Sequence, residues 1–193
     1  MKKLSLNQIK KKLNFSIQKG ISMDLRDFVE NTFNDIFDYD VYLPTVRNPE
    51  TNELGYNLQR PLCWNLEQKQ ELVISVLKGI SLASISIIIY KEYSKTGNNT
   101  QTIKVVDGKQ RMTTLISFMK NEFPLTIDNE NYYYSDLDEI AQRPIKSFSF
   151  ITDRVYEYPD RLLSDQDKID WFTMINFAGN PQEKEHQNNL KIE

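Results

Sequence analysis

The sequence has one cysteine and one histidine among its 193 residues, and these two scarcities exclude several kinds of protein. Because a disulfide needs two cysteines, Cys63 cannot cross-link the chain internally, which rules out a disulfide-rich secreted scaffold. A metal site rich in histidine cannot form, and a Ser/His or Cys/His catalytic pair would have to use His186 itself. We expect His186 to be a solvated surface residue and Cys63 to be a small buried one.

Long apolar runs are also lacking. The longest run, around residues 85–90, is far shorter than the roughly 20 residues that a membrane-spanning helix needs. The basic start at Met1 is not followed by an apolar signal core, so we expect no secretory leader. The sequence therefore predicts a cytoplasmic protein with no membrane partner.

The charges are nearly balanced. There are 24 Lys+Arg and 27 Asp+Glu, which give a net charge of -3, and the sequence pI is near 5.4. This balance argues against a protein whose main task is to coat nucleic acid. Lysines nevertheless cluster near the start, where they could contact phosphates or form a solvated helix face: Lys2, Lys3, Lys10, Lys11, Lys12 and Lys19.

The composition is that of one folded domain, with 39% hydrophobic and 26% charged residues. Apolar residues between Leu25 and Ile36 recur at helical spacing. This pattern predicts a helical lead-in over residues 1–40, followed by a core over residues 41–193. Helices and short strands alternate in the core, so we predict a single α+β domain with a small mixed sheet and flanking helices.

Local signals predict several elements of the core. Asn65 and Gln68 have capping-box spacing at the start of a helix, and Gly79 is placed to end it. Two strands around residues 84–90 and 102–106 are predicted to pair as a hairpin. Short strands are predicted over residues 41–43, 123–127, 132–134 and 147–151. A closing helix is predicted from Ser164, and a last one over residues 182–190.

The strongest chemical signal is the predicted strand-to-helix junction from Asp107 to Arg111. Gly108 allows a tight turn, and the helix beginning near Arg111 offers free N–H groups to an anion such as phosphate. Lys109 and Arg111 add cationic donors. Asp107 could hold Mg²⁺ or orient a water molecule that Gln110 positions. From the spacing alone, the better fit is an ordinary turn, with Asp107 capping the helix and Arg111 in a surface ion pair.

A second polar cluster follows Tyr56. Gln59 and Arg60 are fixed by Pro61 and lie close to Trp64, so the segment could clamp a base or a phosphate. The alternative is structural, with Tyr56 and Trp64 in the core and Arg60 in an ion pair.

Together, the two clusters resemble the N-terminal domain of GmrSD-type restriction systems. That family has a Gln-Arg-Pro-x-x-Trp segment, matched here by residues 59–64, and then Asp-Gly-Gln-Gln-Arg-x-Thr-Thr-Leu, matched by residues 107–115. Its third segment, an Asn before a Gly-rich turn, resembles residues 172–181 with Asn176. The resemblance covers roughly residues 40–190.

The resemblance implies a ParB/sulfiredoxin-like α+β fold, nucleotide binding and, in several members, Mg²⁺-dependent hydrolysis of a nucleoside triphosphate (NTP). Members act in bacterial or phage conflict over DNA. At the matching positions of this sequence, the resemblance implies that Asp107, Gln110 and Arg111 are catalytic, with Asp107 as the metal ligand. The implied nucleotide-binding residues are Gln59, Arg60, Gly108, Lys109, Arg111 and Asn176.

Two departures from the family pattern bear on hydrolysis. Lys109 replaces the family's first Gln, which either strengthens phosphate binding or disturbs the positioning of water. Met174, two residues before Asn176, replaces an Arg of many members and removes a phosphate contact.

Full-length members often carry an HNH-type nuclease domain, for which this chain lacks the histidines. We therefore expect any DNA cleavage to come from a separate nuclease subunit, with a homo-oligomer as another expected assembly.

Three alternatives to an NTP-binding or NTP-hydrolysing domain stay open at this point. The first is a non-enzymatic, ParB-like module that binds DNA, supported by the early lysines and opposed by the net acidity. The second is an inactive interaction or decoy protein, motivated by Lys109 and Met174. The third is a metal-dependent nuclease using Asp107 with Glu71, although no paired-acid motif supports it.

Overall fold

The computed structural model describes residues 15–26, 37–93 and 100–177 of the chain. In these ranges it has nine strands, four α-helices and a short 3-10 helix, Tyr134–Asp136. The helices are α1 (Leu66–Leu77), α2 (Lys109–Met119), α3 (Glu139–Lys146) and α4 (Asp165–Phe177). The strands are β1 (Gln18–Asp24), β2 (Phe37–Asp38), β3 (Tyr42–Arg47), β4 (Leu54–Asn57), β5 (Ile85–Glu92), β6 (Thr100–Asp107), β7 (Leu125–Ile127), β8 (Glu130–Tyr132) and β9 (Ser149–Glu157).

The main sheet has five strands in the order β1-β9-β5-β6-β2, and it is mixed. Strand β5 pairs antiparallel with β6 and parallel with β9, while β1 is antiparallel to β9 and β2 is parallel to β6. Two small antiparallel hairpins, β3-β4 and β7-β8, complete the strands. The predicted α+β class, with a small mixed sheet and flanking helices, is therefore confirmed.

Each face of the main sheet has its own apolar core, because successive residues of a strand point to opposite faces. Ile87 and Ile89 of β5 belong to the core that includes Val73 of α1 and Leu115 of α2. Ile88, between them, belongs to the other core, which contains residues of β3, of α4 and of the segment after β4. The buried central strands thus hold α2 and α4 on opposite sides of the end of β6.

Several local predictions are confirmed. The Asn65 side chain accepts from the Gln68 amide and the Gln68 side chain accepts from the Asn65 amide, so the capping box is complete. Gly79 has φ 74 and follows the C-cap of α1. Strands β5 and β6 form the predicted hairpin. The Ser164 hydroxyl and the Asp167 carboxylate cap the first turn of α4.

The expected helical lead-in is wrong for most of the residues that the structure describes in this range, although Leu25 and Arg26 are helical. Gln18–Asp24 is a strand at the edge of the sheet, and its backbone pairs with β9. The period-2 signal was present in Ile17, Ile21, Met23 and Leu25, which alternate with more exposed residues. The helical spacing that suggested otherwise begins at Leu25 and continues into residues outside the described ranges.

Other element predictions need smaller corrections. Strand β9 runs to Glu157, six residues beyond the predicted end, and β8 is Glu130–Tyr132 rather than residues 132–134. Helix α3 was missed, since Pro144 lies inside it. Strand β3 includes Pro44. Both strands of a two-stranded hairpin are edge strands, where proline is tolerated. The helix predicted over residues 182–190, with His186, lies outside the described residues.

No helix in the described part of the chain is long and apolar enough to span a membrane.

Candidate functional site

The two polar clusters and the third segment of the sequence meet in one cleft of about 180 Å³. The segment after β4, the junction between β6 and α2, and the last turns of α4 each contribute to its wall. Every residue named above as catalytic or nucleotide-binding lines this cleft: Gln59, Arg60, Asp107, Gly108, Lys109, Gln110, Arg111 and Asn176. Cys63, Trp64 and Phe172 complete the lining. Glu71, the partner required by the nuclease alternative, does not line the cleft.

The junction is built around Gly108, which is the N-cap of α2 with φ 103. That backbone conformation lies in the left-handed region that favours glycine. A Cβ atom at this position would come within 2.3 Å of Ile85 Cγ2, so the packing also requires glycine. The helix begins at Lys109, two residues earlier than the sequence suggested. No side chain caps this end, and its first turn has no acidic residue.

Arg111 joins three parts of the site. Its Nη2 donates to Asp107 Oδ2 at 2.6 Å and to the carbonyl of Ser84 at 3.2 Å, and its Nη1 donates to the carbonyl of Ala83 at 2.6 Å. The loop between α1 and β5 is thereby tied to the end of β6. A guanidinium has five N–H donors in a planar fork, so it can make all three bonds at once. Much of the hydrogen-bonding capacity of Arg111 is therefore used within the protein.

Two glutamines make similar links. The buried Gln59 side chain donates to the carbonyl of Val105, which fixes the segment after β4 to β6. Gln110 donates to the carbonyl of Pro61 at 3.0 Å and accepts from the Trp64 amide at 3.4 Å. Gln110 thus holds residues 61–64 against the first turn of α2, and its amide is not free to position water while these bonds last.

Replacing Gln110 with Ala should release residues 61–64, because Pro61 and Trp64 lose their partner on α2. The chain has two tryptophans, and Trp171 is buried, so a Trp171→Phe background leaves Trp64 as the only reporter. We expect the emission of Trp64 to shift to the red and acrylamide quenching to increase, at a cost of about 1 kcal/mol in the free energy of unfolding. An unchanged spectrum would show that the segment holds itself in place.

The three cations of the cleft differ in what surrounds them. Arg111 is paired with Asp107, and Lys109 Nζ lies 2.5 Å from Asp40 Oδ1. Arg60 is exposed, and it has neither a hydrogen-bond nor an ion-pair partner among the residues that the structure describes. Its guanidinium is therefore available to an anion that enters the cleft.

Asp107 offers limited capacity for a metal ion. Its Oδ2 accepts from Arg111, which leaves Oδ1 without a hydrogen bond from any described residue. No group of three or more His, Cys, Asp or Glu side chains able to hold a metal occurs in residues 15–26, 37–93 and 100–177. A single carboxylate oxygen suits Mg²⁺ that keeps its waters and is bound mainly by substrate phosphates. It does not suit a cage made only of protein ligands.

Four further residues of the motifs differ in their exposure and contacts. Burial, and then the charge of Glu50, raises the pKa of Tyr56, so its phenol stays neutral at pH 7. The expectation that Cys63 is buried is wrong: it is exposed in the lining of the cleft, with Sγ 3.5 Å from Gln110 Nε2. The Asn176 amide donates to the carbonyl of Phe172 within α4. Met174 is partly exposed and does not line the cleft.

A comparison with known protein families matches the part of the chain that forms the cleft. A family model described as "GmrSD restriction endonuclease, N-terminal domain" matches residues 56–192, which include every residue that lines the cleft. The chain belongs to the GmrSD N-terminal domain family. Searches of curated proteins and of solved structures gave no significant match.

Membership in the GmrSD N-terminal domain family makes the chain a component of a restriction or phage-defence system. The matched range begins at Tyr56, so β1, β2 and most of the β3-β4 hairpin lie before it. Asp40, which pairs with Lys109 of the cleft, also lies before it. Sequence reasoning missed Asp40, because nothing near it in the chain indicates a partner 69 residues away.

Proposed function

We propose that this GmrSD-type domain binds an NTP by its phosphates in the cleft and so acts as the nucleotide-responsive part of a restriction system. The observation that carries the proposal is the position of Arg60. It is a cation without a partner in the described part of the chain, and it lines the same cleft as the uncapped N-terminus of α2. Cutting of DNA would then belong to a separate nuclease subunit.

The N-terminus of α2 supports an anionic ligand. The first N–H groups of a helix have no partner inside the helix, and the helix dipole places partial positive charge there. Gly108 supplies no capping side chain, and there is no acidic residue in the first turn to compete for these groups. Arg60 adds a planar fork that matches phosphate oxygens. Together, these donors favour a phosphate over a neutral ligand.

The size of the cleft favours the phosphate part of a nucleotide. Its volume of about 180 Å³ is below the roughly 300–1,000 Å³ of pockets that enclose a whole small molecule. In the proposed complex the phosphates therefore occupy the cleft, and the base lies nearer to the exposed segment with Trp64. This arrangement gives the base few buried contacts, so we expect weak discrimination among bases.

In the proposed complex, the motif residues have different roles. Arg60, Lys109 and the backbone amides at the start of α2 contact phosphate. Gln59, Gln110 and Arg111 position the walls of the cleft through the backbone carbonyls that they bind. Mg²⁺ that arrives with the nucleotide would be held by Asp107 Oδ1, where it would neutralise part of the phosphate charge. Asn176, whose Oδ1 accepts no hydrogen bond from a described residue, lies at the far wall.

Replacing Arg60 with Gln tests the proposal directly. Hydrogen bonds to charged groups contribute about 1.5–3 kcal/mol, so we expect the affinity for NTP to fall about 10- to 100-fold. Saturating nucleotide with Mg²⁺ should raise the melting temperature of the wild-type protein by several degrees. Most of this rise should be lost in the variant, while its melting temperature without ligand stays the same.

Arg143→Gln is the matched control, because Arg143 is exposed on α3 and does not line the cleft. It should keep the full stabilisation by nucleotide. Phosphate release measured on the same samples tests hydrolysis separately from binding. A wild-type melting temperature that no nucleotide changes at millimolar concentration would refute nucleotide binding.

A further inference from the structure

The ion pair between Lys109 and Asp40 joins the cleft to a part of the chain that precedes the GmrSD match. Lys109 Nζ lies 2.5 Å from Asp40 Oδ1, and the Lys109 side chain is only 12% exposed against 43% for Asp40. Lys109 lines the cleft but Asp40 does not. The ion pair therefore links a residue of the cleft to a carboxylate outside the cleft lining.

The backbone fixes the position of Asp40. Its N–H donates to Asp38 Oδ1 at 3.0 Å, and Asp38 belongs to β2, which pairs with β6. The next residue, Val41, is buried and its carbonyl accepts from the Leu58 amide at 2.9 Å. The backbone of Asp40 is therefore held between two anchored residues, which keeps its carboxylate within reach of Lys109.

This arrangement sets the charge that a ligand meets. The cleft has three cations, Arg60, Lys109 and Arg111, and two of them are paired with carboxylates. An ammonium held by a carboxylate has less attraction left for an incoming anion than a free one. The Gln that Lys109 replaces in the family pattern would be neutral and would not form an ion pair with an acid at position 40.

We propose that Asp40 determines the affinity of the cleft for polyphosphate by competing with the ligand for Lys109. The inference rests on the proposed nucleotide-binding function and adds to it a residue outside the matched family domain. In the resting protein Asp40 keeps Lys109 partly neutralised. A ligand with several phosphate charges draws the ammonium toward itself, whereas a ligand with a single weak charge does not.

The test is a double-mutant cycle on Asp40 and Lys109, using inorganic tripolyphosphate and ATP as probes, with EDTA present, in isothermal titration calorimetry. Asp40→Asn keeps the shape of the side chain and removes its charge. We expect it to bind both probes roughly tenfold more tightly than the wild type at low salt, with the gain shrinking as salt is added. Lys109→Gln should weaken binding.

The decisive quantity is the effect of Asp40→Asn in the Lys109→Gln background. If Asp40 acts through Lys109, the tenfold gain should disappear there, because the group for which it competes is absent. An equal gain in both backgrounds would overturn the proposal and assign Asp40 a general repulsive effect. Unchanged or weaker binding by Asp40→Asn alone would also overturn it.

The outcomes separate this inference from the proposed function. If the wild type binds the probes and Asp40→Asn binds them equally well, nucleotide binding stands and the role of Asp40 is refuted. If only Asp40→Asn binds, competition by Asp40 is supported in its strongest form. If none of the four proteins binds either probe, the role of Asp40 is refuted, and nucleotide binding is decided by the melting temperatures with Mg²⁺ described above. Melting temperatures of the four proteins without ligand show whether each one is folded.

Discussion

Gly108→Ala should destabilise the protein by about 2–5 kcal/mol for two reasons. Alanine is strained in the left-handed backbone conformation of this residue, and its methyl group would overpack the core. The residue has φ 103, and a Cβ atom would lie 2.3 Å from Ile85 Cγ2. Ile85 is fully buried in the core that includes helices α1 and α2, so it has little room to move. Since natural domains have only about 5–15 kcal/mol of stability, this one methyl group removes a large part of it.

Urea denaturation measures the effect, and Gly79→Ala is the matched control. Gly79 also has a positive φ, 74, but a Cβ atom there meets nothing within 4 Å. The control should lose only the backbone part, about 1–2 kcal/mol. Equal losses in the two variants would mean that Ile85 yields to the added methyl group. In that case the tight fit at the junction is not what requires glycine in this motif.

Short-range signals made the junction predictable from the sequence. Asp107, Gly108 and Arg111 lie within five residues, and the turn and helix start that they form depend mainly on each other. The capping box of Asn65 and the stop at Gly79 were predictable for the same reason. Where a structural feature is determined by adjacent residues, the order of the residues is enough to find it.

The contacts that decide the roles of the motif residues could not be predicted in this way. The carbonyl of Ala83 lies 28 positions before Arg111, and Asp40 lies 69 positions before Lys109. The first contact depends on the register of the β5-β6 hairpin, where an irregularity between Ser86 and Ile87 places Ser86 opposite Asp107. The second depends on the parallel pairing of β2 with β6. No local pattern specifies either of these. Strand β1 was misread because a helical pattern begins at Leu25, where an alternating one ends.

Arg111→Ala should lower the free energy of unfolding by about 2–4 kcal/mol even without a ligand, because its partners are left unpaired in a largely buried place. Its side chain is 16% exposed, and it bonds Asp107 and the carbonyls of Ala83 and Ser84. Hydrogen exchange should rise in residues 79–84, which Arg111 ties to the end of β6. Arg143→Ala, at an exposed site on α3, should change stability by no more than about 0.5 kcal/mol.

The same variant distinguishes a positioning role from direct phosphate binding. If Arg111 mainly held phosphate, the protein without ligand would keep its stability and its exchange pattern, and only the stabilisation by nucleotide would be lost. We expect all three to change, in contrast to Arg60→Gln, which should affect the nucleotide response alone. Arg111→Lys restores the charge but not the planar fork, and one ammonium cannot match the geometry of all three acceptors. It should therefore recover little of the lost stability, and a full recovery would assign Arg111 to charge rather than to positioning.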